Sequence, residues 1–117
     1  MIYIIEDDIS VRRSFEFFLE SAELEYKSFG SAISFLSDGT PTVNDLLVLD
    51  INLPEMSGLD LLKKFSQEKK QIPVIVVTAR DDSASLERCR SYGVKAFLRK
   101  PIEGKILMDL IKKHFQS

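Results

Sequence analysis

The chain has 117 residues, 44% of them hydrophobic and 29% charged, a balance that fits one globular domain and excludes a disordered segment or two ordinary domains. Sixteen Lys and Arg against eighteen Asp and Glu leave a net charge of −2, so the positive surplus of a general nucleic-acid binder is missing. One cysteine, Cys89, excludes an internal disulfide framework and a cysteine-rich metal site.

No apolar run approaches the roughly 20 residues that span a bilayer, and the opening stretch MIYIIEDD lacks the positive flank and longer apolar core of a signal peptide. The expectation is a cytoplasmic domain over residues 1–117, without membrane or direct nucleic-acid contact.

In chain order, Ile2 to Ile5 is a compact β-prone run that stops at Glu6, Asp7 and Asp8. From Ser10, Val11, Phe15, Phe18, Leu19 and Ala22 recur at the spacing of one helix face, with Glu16, Glu20, Glu23 and Phe17 off it. Leu24 to Phe29 reads as a second strand. Ser31 is placed to cap a brief helix carrying Ile33, Phe35 and Leu36, which ends near Gly39, Thr40 and Pro41.

Leu46 to Leu49 is apolar without alternation, as in a strand covered on both faces, and Asp50 stands at its end. Pro54, Ser57 and Gly58 mark a loop before a helix over Leu59 to Phe65. Pro73 opens the β-branched run Val74 to Val77, which ends at Thr78. A weakly patterned helix from about Asp82 to Tyr92 is closed by Gly93, a residue suited to a left-handed C-cap. Val94 to Leu98 forms a fifth strand, and Ile106, Leu107, Leu110, Ile111 and His114 line one face of a last helix. Strands and helices alternating five times predict an α/β (βα)5 unit, a parallel sheet between two helical layers.

In an open α/β sheet, ligands bind beyond the carboxyl ends of the strands. Those ends carry Glu6, Asp7 and Asp8, then Asp50, then Thr78 and Ala79, then Arg99, Lys100 and Pro101. Two unit charges 4 Å apart repel by about 4 kcal/mol at an effective dielectric near 20, so clustered carboxylates demand a cation. Lys100 supplies one positive charge; a divalent ion with Lys100 balances Glu6, Asp7 and Asp50. Hard oxygens with no Cys or His at the rim favour Mg2+ or Mn2+ over zinc, and Mg2+ commonly binds phosphate oxygens as well.

These residues give the chain its resemblance to a receiver domain of a two-component response regulator, over nearly the whole length. The resemblance rests on Glu6-Asp7-Asp8, on Asp50 to Gly58 (DINLPEMSG), on Thr78-Ala79 and on Lys100-Pro101, each at a strand terminus. It implies the doubly wound, flavodoxin-like strand order 2-1-3-4-5. It further implies that Asp50 accepts phosphate, and that Asp7 directly and Glu6 through water hold Mg2+ with the main-chain carbonyl of Asn52, Asp8 contributing little. Lys100 would pair with Asp50 and then with the phosphoryl group, and the bond before Pro101 would be cis. Thr78 and Phe97 resemble the family's switch pair, coupling phosphate to a surface made by the fourth helix, fifth strand and fifth helix. Phe97 lacks the hydroxyl of the tyrosine that many members carry there.

The implied partners are a histidine kinase or phosphotransfer protein as donor, a homodimer through the switch surface, and a C-terminal output domain. VRRSF and MSGLDLL resemble the corresponding stretches of regulators that carry such domains. The implied role is signalling rather than turnover, the domain promoting only its own phosphorylation and dephosphorylation. One alternative is a degenerate receiver that binds without phosphorylation. Another is an aspartyl-phosphate phosphatase, disfavoured because Asn52 stands where a second aspartate would act. A flavodoxin is a third, disfavoured by the acidic first loop.

Other residues draw structural readings. His114 and Cys89 pack in helices, Arg12 and Arg13 form a solvated helix face, and Ser10, Ser31 and Ser57 are caps or turn residues.

Overall fold

The computed structural model describes residues 1–38, 41–79 and 83–116. Five strands, β1 (Ile2–Ile5), β2 (Tyr26–Phe29), β3 (Leu46–Asp50), β4 (Val74–Thr78) and β5 (Ala96–Arg99), form one parallel sheet in the order β2-β1-β3-β4-β5. Five helices alternate with them: α1 (Ile9–Ser21), α2 (Ala32–Asp38), α3 (Gly58–Gln67), α4 (Ser83–Ser91) and α5 (Gly104–Gln116). The doubly wound order expected from the resemblance is the observed one. Among the described residues no helix is long and apolar enough to cross a membrane.

The unbroken apolar strands split by parity into two cores, because successive side chains point to opposite faces. Ile2, Ile4, Leu46, Val48, Ile75 and Val77 pack with Phe15 and Leu19 of α1 and Leu107 and Ile111 of α5. Ile5, Leu47, Leu49, Val74 and Val76 pack with Phe35, Leu61, Phe65 and Cys89, from α2, α3 and α4. The central strands β3 and β4 are therefore buried throughout, while the edge strands β2 and β5 are only partly covered.

Several boundaries differ from expectation for local reasons. Asp8, not Ser10, is the N-cap of α1: its Oδ1 accepts from the N–H groups of Ser10 at 2.9 Å and Val11 at 3.2 Å. Ala22 caps the other end and is exposed rather than part of the buried stripe. Glu23 follows in the left-handed region at φ 59°, and the Leu24 N–H returns to the Leu19 carbonyl at 2.9 Å. This Schellman closure takes Leu24 out of the second strand, which begins at Tyr26. Ser31 caps α2, accepting from the Ser34 N–H at 3.0 Å. Ile33, however, is exposed, with Ala32 and Phe35 turned inward instead. Ser57 and Asp60 close a reciprocal capping box on α3.

Gly93 takes the expected left-handed conformation, φ 75°. In α5 Leu107 and Ile111 make the inward pair, so Ile106 is exposed rather than on the buried face. Phe17 is 64% exposed, as its place off the α1 stripe predicts. The expected end of α2 at Gly39-Thr40 and the expected start of α4 at Asp82 lie outside the described residues.

Candidate functional site

The sheet ladder itself carries the site residues into register. Ile5 pairs with Leu49, so Glu6 and Asp50 are the next residues on adjacent strands. Each is held by one further ladder bond: Glu6 N–H to the Phe29 carbonyl at 3.0 Å, and Ile51 N–H to Val77 at 3.2 Å. Lys100 N–H donates to the Thr78 carbonyl at 2.9 Å, fixing the end of β5 in the same way. The backbone thus presents polar side chains where the apolar runs stop.

The result is a tight, dry cluster. Glu6 is 0% exposed, Asp50 4% and Thr78 6%. Lys100 Nζ lies 2.6 Å from Glu6 Oε1 and 3.1 Å from Asp50 Oδ2. Carboxylate oxygens of Glu6, Asp7 and Asp50 come within 4.8 Å of one another, with Asp7 on the exposed side. Among the described residues the cluster sets three carboxyl groups against the one ammonium of Lys100. Burial therefore pushes the Glu6 carboxyl up to about 7, with Asp50's charge adding to the rise and Lys100 opposing it. Burial also works against the Lys100 ammonium, but its bonds to Glu6 and Asp50 outweigh that and raise its pKa.

These residues fit a small divalent cation. All the donors are hard oxygens, and Glu6 Oε1 is buried without an aligned hydrogen bond, its contact with Nζ being an ion pair off the donor line. The loop after β3 is shaped around Asp50. Its Oδ1 accepts from the Asn52 N–H at 2.9 Å, and the Gly58 N–H returns to the Ile51 carbonyl at 2.9 Å. A Cβ on Gly58 would stand 2.7 Å from the Asp50 carbonyl oxygen and 2.8 Å from Ile51 Cα, so only glycine fits there.

The structure brings together Glu6, Asp7, Asp50 and Lys100, with Thr78 at the end of the neighbouring strand. The Lys100–Pro101 bond is cis. Ala79 follows Thr78 and is exposed, as is Asn52. Asp8 falls outside the carboxylate trio and serves α1 as its cap, although its N–H donates to Glu6 Oε2 at 3.2 Å. Arg12 is not a solvated face residue: its guanidinium donates to the Glu6 carbonyl at 2.9 Å and braces the end of β1. Its charge beside an acidic loop was the only sequence signal for that role.

Phe97 is partly buried on the sheet face that Val74 and Val76 share. It pairs with Val76, and Thr78 lies two residues further along β4 on that same face. The Arg90 guanidinium of α4 lies over the Phe97 ring, 5.6 Å from its centroid, a contact the weak pattern of α4 did not announce.

Comparison with known proteins matches this geometry. The profile of the response regulator receiver domain matches residues 2–112. Nodulation protein W of Bradyrhizobium diazoefficiens is 37% identical over 111 residues, covering 95% of this chain and 49% of that protein. The transcriptional regulatory protein FixJ of Rhizobium meliloti is 31% identical over 112 residues, covering 96% and 55%. Among solved structures, the response regulator StyR superposes with a TM-score of 0.88 at 34% identity, over 98% of this chain and 58% of that one. The structure of FixJ-N gives 0.82 at 31% identity, over 96% and 90%. The chain spans about half the length of the curated relatives it matches, 49% and 51% for the first two.

Proposed function

Because this chain belongs to the response regulator receiver domain family of two-component signalling, we propose that Asp50 accepts a phosphoryl group from a phosphohistidine of a kinase or phosphotransfer protein. The observation that carries this reading is the pairing of buried Asp50 with Lys100 Nζ at 3.1 Å inside a carboxylate trio. An Asp50 oxygen attacks phosphorus, the phosphorus–nitrogen bond breaks, and the imidazole leaves with the electron pair. Lys100 exchanges its carboxylate partner for a phosphoryl oxygen, so the transferred charge meets a fixed cation.

Glu6, Asp7 and Asp50, with the carbonyl of Asn52, would hold Mg2+, or Mn2+ by the same hard-oxygen preference. When bound, that ion supplies neutralisation of the phosphoryl charge. The Thr78 hydroxyl donates to a phosphoryl oxygen and draws the β4 end inward, which lets Phe97 turn into the space behind it. Phosphorylation thereby biases the α4-β5-α5 surface between two states.

The domain is a substrate of its kinase that promotes its own modification and its reversal, not a turnover enzyme. It works in the cytoplasm, dimerises through α4-β5-α5, and controls an output domain or partner. The length of relatives such as FixJ, a transcriptional regulatory protein, supports that arrangement.

Incubation with acetyl phosphate and Mg2+, read by intact-protein mass spectrometry, tests the assignment. One phosphoryl adduct per chain is expected, absent in Asp50→Asn. No adduct on the native chain, or an equal one on Asp50→Asn, would overturn it.

A further inference from the structure

Two cavities lie at the pole opposite the proposed phosphorylation site, by the amino ends of β4 and β5. One of about 710 Å³ opens between the carboxyl ends of α3 and α4. Leu62, Phe65 and Tyr92 are among its apolar walls, and Lys69, Lys70 and Lys95 are its only charged residues. A second of about 320 Å³ shares Lys95 and adds Lys113 and His114, again with no carboxylate in its lining. The linings of these two cavities therefore carry basic side chains and no carboxylate, in a chain of net charge −2.

The positive charge is only partly cancelled in place. Glu68 already pairs with Lys64 at 2.7 Å as well as with Lys70 at 3.2 Å. Lys69 and Lys95 have no ion-pair partner among the described residues. The His114 imidazole is held below its usual range, by burial first and then by Lys95.

We propose that the α3–α4 cleft is a docking groove for an acidic peptide segment of a partner protein, anchored by an apolar or aromatic side chain. Its volume lies within the range of ligand clefts, and its apolar walls would bury the anchor. The carboxyl ends of two helices border it, and among the described residues it has no helix amino terminus to hold a compact phosphate at the backbone. Carboxylates spread along a peptide reach the lysine tips instead, at arm's length from the helix ends. Three lysines on a chain of net negative charge are too few for a nucleic-acid footprint. The groove shares no residue with the Asp50 cluster, so docking there does not require phosphorylation.

The test is selection from a phage-displayed library of random eight-residue peptides on the full 117-residue chain, followed by affinity measurement of the enriched peptides. Enrichment of two or more Asp or Glu flanking an apolar or aromatic residue is expected. Affinity should fall at least tenfold for Lys69→Glu/Lys95→Glu, fall less for Lys69→Gln/Lys95→Gln, and be unchanged for Asp50→Asn. Both lysines are exposed, so these variants keep the fold, which circular dichroism checks. No enrichment, enriched peptides without acids, full affinity for the charge-reversed variant, loss of affinity in Asp50→Asn, or tighter binding of a random-sequence DNA duplex would each overturn the proposal.

Discussion

Lys100 Nζ stands 3.1 Å from Asp50 Oδ2 across fifty residues of chain. The ammonium is shared with fully buried Glu6, so one cation serves two carboxylates, with Asp7 close by. Among the described residues that balance predicts a response to protons and, on the proposed function, to a divalent ion.

Stability should therefore fall between about pH 4.5 and pH 7. The Glu6 carboxyl is raised from its usual 4.5 to about 7 in the folded chain, so its contribution is fully present below pH 4.5 and is lost as pH rises through 7. The shift corresponds to a decline on the order of 3 kcal/mol. His114, held below its usual range by burial and then by Lys95, acts in the opposite sense. Urea unfolding at several pH values should show the decline in the native chain and its absence in Glu6→Gln. Mg2+ at ten times its dissociation constant should restore about 1.4 kcal/mol at pH 7.

Gly58→Ala places a methyl 2.7 Å from the Asp50 carbonyl oxygen, where backbone rather than a flexible side chain must yield. A cost of about 2 kcal/mol or more is expected, together with slower acetyl phosphate labelling, because the displaced segment carries the proposed acceptor. Chemical denaturation and a mass-spectrometric time course measure the two effects. Normal labelling kinetics would show that the loop adapts without moving Asp50.

Glu23→Gly should stabilise the chain. Glu23 holds the left-handed closing position of α1 at φ 59°, which a residue with a Cβ adopts at a cost. After the extra chain entropy of glycine is subtracted, a gain of about 0.5–1 kcal/mol remains. A higher melting temperature, with phosphorylation unchanged, is the expected result.

Arg90→Gln removes the guanidinium over Phe97. Arg90 is largely exposed and also pairs with Glu87 at 3.5 Å, so the stability cost should stay below about 1 kcal/mol. If Phe97 leaves this contact on activation, the variant should bind beryllofluoride more tightly, by at most about fivefold. Beryllofluoride titration followed through the Phe97 ring resonances measures this. Equal affinities would show that the contact is indifferent to state.

Much of this architecture was legible beforehand because each strand ends where an apolar run meets a polar residue. Ile5 to Glu6, Leu49 to Asp50 and Val77 to Thr78 are such steps, and each falls at or within one residue of a strand end. Helix limits were less legible, since closures depend on bonds rather than on pattern. Leu24 looked like strand and is the end of a Schellman closure; Asp8 looked like rim and is a cap. Ile106 and Ile33 could not be assigned a direction by spacing alone, because which flank of a helix meets the sheet depends on packing.

Residue order determined the element sequence, the layer type and the set of polar groups at the strand ends, because hydrophobic period and charge are properties of short segments. The tertiary structure decided which of those groups touch: the Lys100 bridge, the Arg12 brace, the Gly58 close approach and the basic clefts at the far pole. The Lys100 contacts join residues fifty or more positions apart, whose distances the register of neighbouring strands sets, while the Arg12 and Gly58 contacts depend on how a helix start and a loop fold back on their strand ends.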